Sequence, residues 1–278
     1  MTIAKGINIL STKKLYDSVV VNVIQVAQEI YILRLHEPEL CQGVHAGQFV
    51  EVKVPHCSDL LWRRPFSIHN IHLARGTIDI LFNAVGRGTA AMCHLKSGDV
   101  CNILGPLGNH FQYDDSLDHA IVVAGGLGIA PFMLLQRELA DRAIPMHLFY
   151  GAGSKEQLCH LDVFEQYADV HVSTMDGSMG FKGLVTELLL EFLETFQDRS
   201  HSSLYVCGPT PMLRRVKEIA KEFGIPAQVS VETIMACGFG ACVGCAVPMV
   251  HPRPGVKEYY LACVDGPVFN MENISIND

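Results

Sequence analysis

The stretch that most constrains this chain is CGFGACVGC, residues 237–245, followed by a further thiol, Cys263, in LACVDGP. Cys237, Cys242 and Cys245 follow C-x4-C-x2-C, the spacing of plant-type [2Fe–2S] clusters. The loop carries no charge and holds three glycines in nine residues, so it has little tendency to form helix or strand by itself. Its structure must come from what the thiols bind. A cluster is net negative, and its sulfurs call for backbone N–H donors. Gly238, Gly240 and Gly244 let the chain wrap closely, and Ala236, Ala241 and Ala246 keep the wrapping thin and apolar. The rival is a structural zinc site with four thiolates, although zinc ligands usually come as two short pairs. A disulfide pair or plain buried thiols are the remaining readings.

Compartment bears on that choice. The segment MTIAKGINILSTKKLYDS has no sustained apolar core and no small-residue cleavage site, and a secretory leader is not expected. No run of about 18 apolar residues predicts a transmembrane helix. A cytoplasmic location is expected, where ten cysteines are reduced, buried or metal-bound rather than disulfide-linked. Cys41, Cys57, Cys93, Cys101 and Cys159 are scattered singly and are expected to be small buried hydrophobes. A net charge of −8 argues against nucleic acid or an anionic membrane surface as the partner.

With 278 residues, 49% of them hydrophobic, the chain has material for several cores. VVVNVIQVA, EIYILRL, GQFVEVKV and GTIDILFNAV are β-branched, partly alternating runs separated by turn signals, which predicts an antiparallel barrel or sandwich interrupted by one short helix at GTAAMCHLKSG. From about Asp118 the pattern changes. HAIVVAGGLGIAPFMLLQREL, PMHLFYGAG, DVHVSTMDGS and SSLYVCGPT alternate with helical segments, which predicts a parallel α/β sheet. The expected fold is multi-domain, β + α/β: an antiparallel β-barrel (1–115), a parallel-sheet, nucleotide-type α/β domain (116–228) and a small C-terminal cysteine module (229–278).

Two nucleotide motifs support this layout. In RRPFSIHN, Arg64 can pair with a phosphate, Phe66 can lie against a flat ring, and the Ser67 hydroxyl can reach a ring nitrogen; Pro65 completes the motif. Downstream, Gly86, Gly88 and Thr89 open the barrel's helix, where unpaired N–H groups suit a diphosphate. Alone, an Arg-Pro turn before a strand is commonplace; with that helix start it is the arrangement expected for FAD. In AGGLGIAP, Gly125, Gly126 and Gly128 permit a tight turn and close phosphate approach, with Pro131 where the dinucleotide fingerprint usually has its last glycine. A simple tight turn is the alternative. Cys207, Gly208 and Pro209 are expected at the carboxyl edge of the sheet, where such sheets bind ligands, either beside a nicotinamide or, for Cys207, as a buried strand end. Only Lys155 follows the second strand to meet a 2′-phosphate, so NAD is favoured over NADP.

In this order the motifs resemble the ferredoxin–NADP reductase superfamily, with RPFS as its flavin motif, GGLGIAP as its pyrophosphate loop and CGPTPM as its nicotinamide-side motif. CGFGACVGC with CVDGPVF is similar to the family of electron-transfer subunits of two-subunit dihydroorotate dehydrogenases. The resemblance covers nearly the whole chain. It implies FAD contacts at Arg64, Pro65, Phe66, Ser67, Leu81, Phe82, Asn83, Gly88 and Thr89, and cluster ligation by Cys237, Cys242, Cys245 and Cys263. Asn83 departs from the basic residue common there, which puts one phosphate or ribose contact in doubt. The stretch between the last two cysteines is long, with PMVHPRPGVKEYY as an expected exposed hairpin. The resemblance further implies an FMN-containing dihydroorotate dehydrogenase catalytic subunit as partner, two of each in a heterotetramer, with electrons running from FMN through the cluster to FAD and on to NAD⁺. No acid–base residue is needed and none is named as catalytic; Ser67 is expected to tune flavin N5.

Of thirteen histidines, His69, His72 and His94 fall near these segments and are expected in surface or barrel-lining roles, with HPRP at 251–254 as a turn. Rival functions are the diaphorase-type subunit of another complex (a ferredoxin:NADP oxidoreductase, a sulfide dehydrogenase or a hydrogenase), a non-catalytic flavin and cluster redox sensor, and a zinc-stabilised nucleotide-binding module.

Overall fold

The computed structural model describes residues 13–276 except 56, 58, 254 and 256. Residues 1–12, on which the leader reading rests, and the end of HPRP lie outside the described residues. Six strands close a barrel: β1 (Lys14–Ala27), β2 (Ile30–His36), β3 (Phe49–Lys53), β4 (Arg64–His72), β5 (Thr77–Asn83) and β6 (Val100–Leu107), in the order β1-β2-β5-β4-β3-β6. Every neighbour is antiparallel, and β6 pairs back onto β1, so the barrel leaves no open edge. Helix α1 (Arg87–Met92) follows β5 with Gly86 as its N-cap. It stops short of the expected span, because His94 onward turns into β6.

The second unit is a seven-stranded sheet. It comprises β7 (His119–Gly125), β8 (Met146–Ala152), β9 (Ala168–Thr174), β10 (Phe181–Lys182), β11 (Ser202–Cys207), β12 (Ala227–Ser230) and, from the far end of the chain, β15 (Val268–Asn270). The order is β10-β9-β8-β7-β11-β12-β15. All pairs are parallel except β12 with β15. Helices α2 (Phe132–Ala140), α3 (Leu161–Phe164), α4 (Val185–Thr195) and α5 (Thr210–Phe223) complete it. From β7 the chain first builds outward to β8, β9 and β10 and then returns to β11 on the other flank. The switch point, where such sheets hold ligands, is therefore the crevice beyond the carboxyl ends of β7 and β11.

The cysteine-rich segment is not a free appendage. It contributes the antiparallel hairpin of β13 (Ala246–Arg253) and β14 (Lys257–Leu261) and then sends β15 into the large sheet. Strand β12 straddles residue 228, so the sheet runs across the division expected there. Asn109, just past β6, ties the segment to the barrel. Its side chain donates to the carbonyls of Asp265 (2.9 Å) and Val268 (2.8 Å) and accepts from the Val268 N–H (3.0 Å).

Two apolar cores follow. One fills the barrel with residues such as Leu33, Val50, Ile68 and Phe82 and continues under α2 through Phe111, Phe132 and Leu135. The other lies between the opposite face of the sheet, α4, α5 and the cysteine segment, and includes Cys245, Val247, Cys263 and Phe269. Among the scattered cysteines, Cys41, Cys101 and Cys159 are buried as expected, whereas Cys57 and Cys93 are only half-buried; Cys207 is buried at the end of β11.

His69 bolts the barrel to the sheet. Its ring is 1% exposed, and Nδ1 donates to the Ala130 carbonyl at 2.7 Å. Burial, only partly offset by that bond and reinforced by His160, holds the imidazole down at about 4. An unfolded histidine takes its proton near 6.5, so the folded chain binds fewer protons between those values. Stability is therefore lost as the pH falls from 6.5 toward 4, by about 3 kcal/mol in full. A His69→Asn chain, which keeps an N–H donor without the titration, is expected to show a flatter acid limb in urea unfolding. An unchanged limb would assign the loss to other groups. His72 instead lies on the barrel wall, where Nε2 is 3.0 Å from Asp79, itself paired with Arg34 at 2.7 Å.

Candidate functional site

The flavin motif, the nucleotide loops and the cysteine segment meet at one groove of about 460 Å³. Strand β4 supplies Pro65, Phe66 and Ser67; β5 supplies Leu81 and Asn83; Thr89 comes from α1. Leu127, Ala130 and Cys207 close it from the sheet side, and Glu232 and Met235 from the approach to the cysteine loop. Three sequence-distant regions thus line one space. Alternation along β5 puts Leu81 and Asn83 on the groove face and Phe82 on the other. Phe82 is 0% exposed inside the barrel and reaches the groove only through Phe66, whose ring it meets edge-on at 6.1 Å. Asn83 Oδ1 is buried and has no hydrogen-bond partner, an acceptor waiting for a donor from outside the chain.

Arg64 opens β4 next to Pro65 and is outside the groove's lining. Its guanidinium donates to the Trp62 carbonyl, and its Nε would be 3.4 Å from a Cβ placed on Gly88. The cationic side chain and the start of α1 are therefore side by side, as binding one diphosphate requires. The Thr89 hydroxyl is occupied with the backbone of Gly86, at 3.1 Å to both N and O.

A second cavity, of about 530 Å³, opens at the carboxyl ends of the strands and is lined by Gly125, Gly126, Gly151, Pro209, Met212 and Arg215 among others. Gly128 plays a different part. A Cβ there would sit 2.2 Å from the Cys207 carbonyl oxygen, so its hydrogen lets the loop lie flat on the end of β11. Pro131 is the N-cap of α2. A Cβ on Gly208 would meet Met212 at 2.7 Å and the Gly125 N at 3.0 Å. Cys207 faces the first groove, not the second, and burial pushes its thiol well up, leaving it neutral.

The cysteine loop brings its thiols together in two environments. Cys245 and Cys263 are buried at 2% and 0% exposure, with their sulfurs 3.2 Å apart. Cys237 is half-buried and Cys242 exposed. Burial raises the Cys237 thiol, but the N–H groups of Phe239, Cys242 and Ala241, together with a hydrogen bond from the Cys242 thiol, more than offset this and hold it at about 6; the Ala241 N–H lies 3.3 Å from its sulfur. Cys263 is pushed up to about 12 by burial and by Cys245, so it ionises only when a metal takes the proton's place. A buried thiol pair, a thiolate fed by backbone donors, and an apolar surround fit an iron–sulfur cluster. Gly238 (φ 75°) and Gly240 (φ 93°) have left-handed backbone, and added Cβ atoms would meet Glu51 at 2.7 Å and Val264 at 2.8 Å.

Gly244 differs from these two. Its backbone is not left-handed, and an added Cβ would meet only the Cys242 sulfur, at 3.6 Å. The left-handed position between Cys242 and Cys245 is Val243, at φ 61°. For a β-branched residue that costs roughly 1–2 kcal/mol, which the surrounding fold must hold.

Sequence reasoning also missed Glu51 and Glu232. Glu51 on β3 is 0% exposed beneath Gly238, and neither carboxyl oxygen has a partner. Burial, with the Cys237 charge adding and Arg63 and Arg64 opposing, lifts it to about 7. The alternation in GQFVEVKV makes Glu51 look solvent-facing; the cysteine segment covers that face. Glu232 is raised by burial, and its only signal is its place just before the loop.

Comparison with known proteins agrees with this geometry. The iron–sulfur cluster binding domain of dihydroorotate dehydrogenase B matches residues 232–275, an oxidoreductase NAD-binding domain matches 122–218, and an oxidoreductase FAD-binding domain matches 18–113. The dihydroorotate dehydrogenase B (NAD(+)) electron transfer subunit of Desulforamulus reducens is 37% identical over 257 residues, which cover 92% of this chain and 96% of that one. The protein of the same name from Bacillus pumilus is 34% identical, covering 95% and 99%. Among solved structures, a chain from the NADH-dependent reduced ferredoxin–NADP oxidoreductase superposes with a TM-score of 0.82 at 27% identity, covering 94% of this chain and 90% of that one. Phthalate dioxygenase reductase shares the fold at a TM-score of 0.62 and 18% identity, covering 90% and 94%.

Proposed function

Because the chain belongs to the family of dihydroorotate dehydrogenase B (NAD(+)) electron transfer subunits, we propose that it carries electrons between a dihydroorotate-oxidising partner subunit and NAD⁺ in pyrimidine biosynthesis. The observation that carries this is the convergence of Phe66 and Ser67, Cys207, and the approach to the cysteine loop on one groove. When bound, FAD exchanges hydride with the nicotinamide and single electrons with a [2Fe–2S] cluster, and the protein supplies position and environment for that chemistry.

Each residue then has a task. Phe66 and Leu81 pack the flavin ring, and the Ser67 hydroxyl bonds its N5. Asn83 offers its unpartnered oxygen to the cofactor's polar chain. Arg64, beside Gly88 and Thr89, neutralises the diphosphate. Gly125, Gly126 and Pro209 admit the nucleotide, while Gly128, Pro131 and Gly208 hold the loops that shape its cavity. NAD⁺ is preferred over NADP⁺. Cys237, Cys242, Cys245 and Cys263 hold the cluster, with Cys237 and Cys242 toward the surface where a partner arrives. The partner contains FMN, two copies of each subunit assemble, and the complex is cytoplasmic. Among the described residues no helix is long and apolar enough to cross a membrane.

Replacing Arg64 with alanine is expected to weaken FAD binding roughly 10- to 150-fold, the effect of losing one hydrogen bond to a charged group. Flavin fluorescence released on serial dilution measures it, and an unchanged dissociation constant would remove Arg64 from the site. The function as a whole is tested by anaerobic purification and assay of flavin, iron and acid-labile sulfide, then by adding an FMN-containing dihydroorotate dehydrogenase subunit. Dihydroorotate-dependent NADH formation that needs both chains supports the reading. Flavin with zinc in place of iron, or a loaded chain that serves only a ferredoxin:NADP oxidoreductase partner, overturns it.

A further inference from the structure

Away from both cavities, the amino-terminal halves of three adjacent strands, as far as mid-β9, collect a group of polar side chains that the electron path does not use. His119 opens β7, His147 is second in β8, and Asp169 and His171 lie on β9. The register pairs His147 with Asp169, Phe149 with His171 and His147 with Ile121, so all four side chains share the sheet face that α4 covers. Asp169 Oδ2 lies 3.3 Å from His147 Nδ1 and 2.9 Å from His171 Nε2, and one ligand atom from each of the three falls within 4.8 Å of the others. Donor atoms bound at 2.0–2.2 Å to one ion lie roughly 3 Å apart, so this spacing is already near what a metal needs.

The surroundings favour such a site. Phe192 of α4 lies 5.1 Å from the His147 ring and 5.4 Å from His171, and Phe149 stacks on His171 at 4.6 Å. These rings restrict both imidazoles, whose side chains are 17% and 26% exposed, while Asp169 at 59% leaves a way in from solvent. The other nitrogen of His147, Nε2, lies 3.3 Å from His119 Nδ1. An Nε2–H···Nδ1 bond to His119 would leave the His147 Nδ1 lone pair free for an ion, the outer-shell arrangement that metal-ligating histidines commonly show.

We propose that His147, Asp169 and His171 form a divalent transition-metal site, remote from the electron path, that pins β8 to β9, with His119 fixing the His147 tautomer. Two imidazoles and one carboxylate select zinc, nickel or cobalt over magnesium or calcium, and water completes the coordination.

The test titrates zinc calorimetrically into the chain loaded with flavin and cluster, so that the cluster thiols are already engaged. Wild type is expected to take up one zinc per chain, and a His171→Ala, Asp169→Asn double variant to bind at least about tenfold more weakly. Retained flavin and iron and an unchanged NADH–ferricyanide rate show that the variant is folded. His147→Gln serves in its place if the double variant loses them. Equal isotherms for wild type and variant, no uptake by wild type, or uptake matched by iron release and insensitive to His171 would each overturn the site.

Discussion

Replacing Cys263 with serine is expected to bring iron and acid-labile sulfide to background while the flavin stays bound. Cys263 is 0% exposed, and its sulfur is 3.2 Å from that of Cys245. Serine would put a hard, poorly ionising hydroxyl in an apolar core where a thiolate is required. The proposed flavin groove takes most of its lining from the barrel, α1, the β7 loop and the end of β11, all outside the cysteine segment. Reduction of ferricyanide by NADH, which bypasses the cluster, is therefore expected to persist within roughly a factor of two. NAD⁺-linked oxidation of dihydroorotate with the partner subunit is expected to vanish, because the cofactors carry that chemistry. Cys57→Ser, at a half-buried and isolated thiol, is the matched control and leaves the iron unchanged. Full iron in the Cys263→Ser chain would remove that residue from the ligand set; loss of flavin together with iron would show that the fold, not the ligand, had failed.

The second large effect is expected at Gly128. An added Cβ would meet the Cys207 carbonyl oxygen at 2.2 Å, its carbon at 2.5 Å and Gly208 Cα at 2.8 Å. All three are backbone, so no side chain can swing aside. The loop and the end of β11 must separate at the switch point of the sheet. Overpacking of this kind costs about 1–3 kcal/mol and occasionally more, at about 2–4 °C of Tm for each kcal/mol. Because the parted edges frame the nucleotide cavity, KM for NADH with ferricyanide as acceptor is expected to rise at least tenfold through lost positioning. Leu127, Ala130 and Cys207 also close the proposed flavin groove, so flavin content is expected to fall as well. An alanine chain with unaltered Tm and KM would mean that the loop relaxes without moving the cavity.

Local features of this protein were legible in the sequence, and long-range ones were not. The cysteine spacing, RPFS and the glycine turn each lie within a dozen residues, and their chemistry follows from residue type and spacing. Strand runs such as EIYILRL and AIVV identified β2 and β7 for the same reason. The pairing of β15 with β12 joins Asn270 to Gln228 through a three-residue strand that no periodicity marks. Glu51 was hidden because alternation reports which residues share a face, not what covers that face. Val243 was hidden because left-handed backbone is read from glycine, and here tertiary packing imposes it on a β-branched residue. The His147, Asp169 and His171 group is separated in sequence by intervening segments and becomes visible only when parallel register aligns β8 with β9.

The seating of β15 on β12 also bears on transplanting this electron carrier between reductases. A graft that moves only the cysteine loop and its hairpin would leave β12 as a bare sheet edge, an invitation to intermolecular strand pairing. It would also leave the Asn109 side chain without the carbonyls and N–H it binds. The smallest exchangeable cassette therefore includes β12, everything after it, and an asparagine at the exit of the recipient barrel.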